Sequence, residues 1–341
     1  MKKNNYLYFL SILVLSAFLF SCGEDENLSD SDDSGSGSIK NNLKTGQIEI
    51  KAYPDKNNKI SFYATATSLT IDWGDGSVEE YTPNGIRLEF TYEYVNSNFQ
   101  TIKVNTNKIT HFNISDSSSK GIFHELRFGD CSYLEEILCS GSNTKLTVLS
   151  IKSAPALTTL DCIWNQLTSL DVSGCVALTS LGCEGNQLTS LNVSGCTALT
   201  SLDCYGNQLT SLDASGCTAL TTLYCQNNQL TSLDVSGCTA LTGLFCSDNQ
   251  LTSLDVSGCT ALTRLFCSDN QLTSLDVSGC VALTGLGCVE NQLSSTALNS
   301  LFESLPTRQS GNNASISVGG NPGIEYCDWS IATNKGWTVY R

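Results

Sequence analysis

From Leu146 to Leu293 the apolar positions return at one constant step. Aligned on that step, coils begin at Leu146, Leu167, Leu188, Leu209, Leu230, Leu251 and Leu272, and each reads L-x-x-L-x-V-x-x-C-x-x-L-x-x-L-x-C-x-x-N-Q with few exceptions. Leu at i and i+3 would suit a helix. L-x-V and L-x-C instead impose an alternation of two, and Gly and Asn punctuate every turn. The pattern predicts two short strands per coil, around "SLDV" and "GLFC", with turns at "SG" and "DNQ". Each coil can bury its Leu, Val and Cys only against its neighbours, so the architecture is a solenoid. A weaker copy, two residues too long, starts at Phe123, and an earlier one keeps register through Phe99, Ile102, Val104, Asn107, Ile109, Phe112 and Ile114. About nine coils are therefore expected over 99–294.

Such a stack has open ends that would expose core and strand edge, so it needs caps. In "SSTALNSLFESLP" Leu298, Leu301, Phe302 and Leu305 share one helical face, and Pro306 closes it. "ASISVGGNPG" then reads as strand and turn, and "CDWSIATNKGWTVYR" as a short helix and final strand, giving an α/β cap over 295–341. Upstream, "QIEIKAY", "KISFYAT" and "SLTIDW" alternate as strands. The fold class expected is mostly β.

The repeat resembles the leucine-rich repeats, L-x-x-L-x-L-x-x-N/C-x-L, and within them the nested bacterial class in which two half-repeats alternate; the likeness extends over 99–294. "IDWGDGS" followed by "FTYEY" resembles the PKD-type β-sandwich motif, with Phe90 where that family has His and with its G-t-Y replaced by "NSNFQTIKV". A β-sandwich-like domain over 45–98 is expected, its last strand, Phe99 to Val104, running into the first coil.

The chain begins "MKKNNYLYFLSILVLSAFLFSC", with two lysines and an apolar run that is short for a membrane span; it reads as a secretory signal over 1–21. "FLFSC" resembles a bacterial lipobox, a resemblance that implies lipidation of Cys22. The acidic, Gly/Ser-rich segment that follows, 22–44, buries too little to offset its ordering entropy and reads as a tether. It also resembles the export signal of surface lipoproteins in the Bacteroidetes, implying an outer-membrane anchor and cell-surface exposure. The net charge of −15 leaves no basic stripe for nucleic acid. With His111 and His124 the only histidines, a zinc site or histidine-based triad has little material. No cofactor and no catalytic role are expected.

Columns of like residues run along the stack. Cys175, Cys196, Cys217, Cys238, Cys259 and Cys280 form one, and Cys139, Cys162, Cys183, Cys204, Cys225, Cys246, Cys267 and Cys288 another. The first breaks at Ala154, which fits reduced cysteines used as small core filler; disulfides between coils stay open, since the ~4.8 Å strand spacing lies within bridging distance. Asn165, Asn186, Asn207, Asn228, Asn249, Asn270 and Asn291 can satisfy backbone groups at each turn. Asp171, Asp213, Asp234, Asp255 and Asp276 read as a solvated face with too few oxygens per coil for calcium. The outward Thr, Ser and Asp letters recur without a packing reason.

The outward letters around the second Cys column do change. Before each Cys stand Asp161, Gly182, Asp203, Tyr224, Phe245, Phe266 and Gly287; after it, Ile163, Glu184, Tyr205, Gln226, Ser247, Ser268 and Val289, with Trp164 beside Ile163 and Arg264 at the rim. Rings of ~150–250 Å² each, stacked in adjacent coils, read either as a surface patch near the size that marks binding or as a stack that only stabilises the strand ladder. Trp164, Tyr205, Tyr224, Phe245, Arg264 and Phe266 are the candidate partner-binding residues. The repeat resemblance implies protein binding or adhesion; a glycan ligand and a mechanical spacer are the alternatives, and capped ends favour a monomer.

Overall fold

The computed structural model describes residues 42–115, 120–141, 144–309 and 313–341. The signal segment, Cys22 and the tether up to residue 41 lie outside the described residues. Seven strands open the fold: β1 (Gln47–Tyr53), β2 (Lys59–Ala66), β3 (Leu69–Asp72), β4 (Val78–Tyr81), β5 (Arg87–Glu93), β6 (Gln100–Thr106) and β7 (Ile109–Asn113). After them come β8 (Ile122–Asp130), β9 (Glu136–Leu138) and β10 (Thr144–Ser153). One sheet has the order β10-β8-β1-β6-β3-β4, antiparallel except for β8 and β10. The other starts β5-β2-β7, also antiparallel. Alternation puts Ile48, Ile50 and Ala52 of β1 and Ile102 and Val104 of β6 into the core with Phe62, Trp73, Phe90 and Phe112. Trp73 anchors it: Tyr92 stacks on the ring at 5.0 Å, Tyr94 Oη donates to its carbonyl at 2.8 Å, and Nε1 donates to Glu79 at 2.9 Å.

β6 lies between β1 and β3 as an antiparallel strand of this sandwich. Parallel stacking therefore begins at β7 rather than at Phe99. β7 pairs antiparallel with β2 on one side and parallel with β9 on the other, so the second sheet passes from sandwich to solenoid without a break. From β9 it continues through Thr159–Asp161, Ser180–Gly182, Ser201–Asp203, Thr222–Tyr224, Gly243–Phe245, Arg264–Phe266 and Gly285–Gly287. The C-terminal region adds Ser315–Ser317 and Thr338–Tyr340 as two more parallel rungs. The solenoid is thus longer than nine coils: counting from β7, eleven parallel rungs share this sheet. On the opposite side Ser169–Asp171 pairs with Ser190–Asn192 and Ser211–Asp213 with Ser232–Asp234. The two later copies, around Leu254 and Leu275, bury the Leu without forming a strand, so those coils have one strand rather than two.

The predicted cap helix is α1 (Ser295–Ser304), with Ser294 Oγ capping Ala297 N–H and Leu298, Leu301 and Phe302 buried over the last coil. A second helix, α2 (Trp329–Asn334), follows an Asp328 cap.

Each ladder Asn bridges coils. Asn207 Nδ2 donates to Cys183 O of the previous coil at 3.0 Å and to Cys204 O of its own at 3.1 Å, while its Oδ1 accepts Leu188 N–H at 3.0 Å. Asn321 repeats the pattern in the cap. The outward Thr has a similar duty: Thr179, Thr200, Thr221, Thr242 and Thr263 donate Oγ1 to the carbonyl of the same Thr, or of Thr158, one coil earlier, at 2.8–2.9 Å. Asp171, Asp213, Asp234, Asp255 and Asp276 accept the backbone N–H two residues on, closing the "SG" turn. The described cysteines are all buried and free, and burial pushes their thiols up, Cys267 and Cys280 to about 12. Asn207→Ala removes four hydrogen bonds and strands buried backbone groups. We expect a loss of about 3 kcal/mol, read as a lower urea midpoint; an unchanged midpoint would show that the ladder is dispensable.

Candidate binding face

The outward side of the long sheet carries the variable letters. Register places Asp203, Tyr224, Phe245, Phe266 and Gly287 directly beside one another on successive rungs. Three rings stack: Tyr224 on Phe245 at 4.7 Å and 17°, Phe245 on Phe266 at 5.5 Å and 10°. Because they lie face to face, it is their edges that point away from the sheet. Phe266 is 38% exposed and leans over Gly287, where a Cβ would come within 2.7 Å of its Cδ1. Arg264 is exposed, two residues before Phe266, with Gly243 and Gly285 as its register partners. The Phe245 ring covers Gly243, where a Cβ would come within 3.0 Å of its Cε2. Two residues past Tyr224, Gln226 Oε1 is buried with no hydrogen-bond partner among the described residues.

Four of the candidate residues thus come together: Tyr224, Phe245, Arg264 and Phe266. Tyr205, 37% exposed, stands on the rung before Tyr224 but two positions further along the strand's exit. Trp164 lies three rungs from Tyr224, at the turn rather than on the strand, and is 63% exposed.

The turn column was missed by sequence reasoning, although it was visible. The residue before each ladder Asn is Trp164, Gly185, Gly206, Asn227, Asp248, Asp269 or Glu290, and all have φ between 51° and 64°. Their N–H groups point to the next coil, as from Trp164 to Glu184 O and Gly185 to Tyr205 O, both 2.9 Å. Gly, Asn and Asp suit that left-handed geometry, which the letters "GNQ", "NNQ" and "DNQ" encode; Trp does not. The second miss is a carboxyl pair. Glu184 has its carboxyl pushed up, first by burial and then by the neighbouring charge of Asp203, with Asp161 adding to this. At the far end of the same face Tyr63, Thr65, Arg87, His111, Asn113 and Glu136 line a cavity of about 280 Å³, with Arg87 4.7 Å over the Tyr63 ring.

The sequence family described as "Leucine Rich repeats (2 copies)" matches residues 197–237, 218–258 and 239–279. The coils over 197–279 are leucine-rich repeats. No curated protein matches the chain. Among solved structures, it is similar to the functional domain of InlJ from Listeria monocytogenes, which "includes a cysteine ladder", with 33% identity over 61% of this chain and 45% of that one and a TM-score of 0.49. It is also similar to YopM from Yersinia enterocolitica, with 24% identity over 57% of this chain and 39% of that one and a TM-score of 0.45. YopM from Yersinia pestis, described as a leucine-rich effector protein, gives 21% over 57% and 54%, with a TM-score of 0.44. The chain thus spans less than two thirds of the length of each of these proteins.

Glu184 takes up its proton more readily in the folded chain than in the unfolded one, so folding stability falls as pH rises through the interval above the ordinary Glu value. Glu184→Gln removes that dependence. Its melting temperature should exceed the parent's at neutral pH and converge with it below the ordinary Glu range, followed by circular dichroism. A constant offset across the series would contradict the raised Glu184 carboxyl.

Proposed function

We propose that this chain is a non-enzymatic surface protein, anchored through a lipid on Cys22 and carrying a PKD-like sandwich, whose leucine-rich-repeat face binds a protein partner. The observation that carries the binding role is the Tyr224–Phe245–Phe266 stack with Arg264 beside it. Aromatic residues and Arg are the types enriched where protein interfaces concentrate their energy. The ring geometry favours a peptide surface over a glycan: stacking on a sugar needs an open ring face, and in the ladder the faces are already covered by one another. A binding role also fits the thiols, since the described cysteines are buried and shifted away from the thiolate that nucleophilic chemistry needs.

Peptides selected from a displayed random library on the full chain should lose affinity about tenfold or more for the triple variant Tyr224→Ser, Phe245→Ser, Phe266→Ser, at an unchanged melting temperature. Equal binding by the variant, or response of a glycan array alone, would overturn the reading.

The anchor is tested separately. Cys22→Ser should abolish labelling by a radioactive fatty acid and move the protein from the detergent to the aqueous phase on Triton X-114 partition. Unaltered partition would remove the lipid anchor from the proposal.

A further inference from the structure

The two halves of the binding face differ in chemistry. Rungs Thr222–Tyr224 to Arg264–Phe266 carry stacked rings, whereas Thr159–Asp161 to Ser201–Asp203 carry carboxylates and one open indole. Trp164 holds φ 54°, a left-handed backbone that a bulky side chain rarely adopts. Its ring lies on Gly185, where a Cβ would sit 2.5–2.9 Å from Cε3, Cδ2 and Cζ3. One face of the indole is therefore covered by backbone, and at 63% exposure the other faces solvent. Unlike the stacked rings, this one offers a face. The Trp164 backbone N–H donates to Glu184 O at 2.9 Å, which sets the ring beside Glu184, and register sets Asp161 and Asp203 on either side of Gly182.

No positive charge balances this end. Among the described residues, none of Asp161, Glu184 and Asp203 forms an ion pair with Lys or Arg. Arg264 is the one cationic residue in the sequence between Lys152 and Arg308, and it stands three rungs beyond Asp203. An open aromatic face beside unneutralised carboxylates has one complementary ligand chemistry, a planar cation. Guanidinium stacks on an indole through cation–π attraction and forks onto carboxylates, which ammonium does as a point charge only. A neutral sugar could cover the ring but would leave the like charges unrelieved.

We infer that this end of the face receives an arginine side chain of the partner, stacked on the open face of Trp164 and hydrogen-bonded to Glu184 and Asp203. The inference rests on the protein-binding reading above and adds the partner's chemistry. With rungs ~4.8 Å apart, the arginine sits ~14 Å along the sheet from whatever the Tyr224 ring contacts. A cationic residue and an apolar residue at that separation are what the partner segment must supply.

Fluorescently labelled tetra-arginine and tetra-lysine peptides, titrated into the full chain at low ionic strength and followed by anisotropy, test it. Tetra-arginine should bind more tightly than tetra-lysine. Trp164→Ala, which leaves the net charge unaltered, should weaken tetra-arginine about fivefold, the equivalent of ~1 kcal/mol. Trp164→Phe should recover part of the loss, and Glu184→Gln with Asp203→Asn should weaken binding by at least as much as Trp164→Ala. Asp213→Asn with Asp234→Asn removes two charges from the opposite strand ladder and should change affinity less than twofold. Three results would overturn the inference: indifference to Trp164→Ala and Trp164→Phe alike, an equal loss in the Asp213, Asp234 variant, or a Trp164-dependent response to neutral oligosaccharides without one to tetra-arginine. Library peptides that still require the Tyr224–Phe266 ladder while tetra-arginine ignores Trp164 would remove this inference alone. The converse pattern would remove the ladder reading and leave the arginine site standing.

Discussion

The buried asparagine amide at each turn is the interaction on which the rest of the solenoid depends. A single coil has no interior of its own, and its turn leaves backbone carbonyls and N–H groups pointing into apolar space. Asn186 resolves this by donating to Cys162 O, Cys183 O and Glu184 O and accepting Leu167 N–H, so one side chain ties two coils together at four points. An amide has both donors and an acceptor in one plane; neither Asp nor Leu of similar size can replace it. Repeated up to Asn321, it holds every rung at the same height and in the same register. That regularity is why Tyr224, Phe245 and Phe266, each in an equivalent place, meet as parallel rings. The candidate site is a by-product of the ladder beneath it.

The same register joins the N-terminal region to the repeats. β7 is the adapter, with an antiparallel partner on one edge and a parallel one on the other. Its position covers an edge that the first coil would otherwise expose, the role that Ser315–Ser317 and Thr338–Tyr340 perform at the opposite end. As a consequence the outward face does not stop where the repeat begins. It runs from Arg87 and Tyr63 past His111 and Glu136 to Tyr340, one sheet surface with several chemistries in series.

Much of this architecture was legible in the chain. The two-residue alternation in L-x-V and L-x-C outweighed a helical spacing, the Asn column announced its own purpose, and Leu298, Leu301 and Phe302 marked the cap helix. What escaped were features that exist only between coils. The outward Thr has no visible task within its own repeat; its hydroxyl donates to the carbonyl of the Thr one coil earlier. The fate of β6 was similarly hidden, because its apolar alternation fits a sandwich strand as well as a coil, and only its pairing with β1 and β3 decides. The pairing of Glu184 with Asp203 joins residues far apart along the chain that become neighbours through stacking.

Those inter-coil neighbours also explain why variation gathers where it does. An inward change is felt by two adjoining coils at once, and a change in Thr or Asn breaks a bond made by another coil. Outward positions before and after the second Cys column make only scattered bonds of this kind, as Ser140 Oγ to Asp161 and Val289 N–H to Ser268 Oγ, so they differ more freely, and the differences accumulate side by side on one surface. The result is an uneven distribution: rings with Arg264 at one end, carboxylates with an open indole at the other. Neither arrangement is what stability alone would select. Glu184 is held among like charges that raise its proton affinity, and Trp164 occupies a backbone region that Gly185 and Gly206 fill without strain in the next two coils. A solenoid built from interchangeable coils can absorb both departures because each is confined to one rung and its neighbours. Their position on the shared face, rather than in the core or at the caps, is what ties them to recognition.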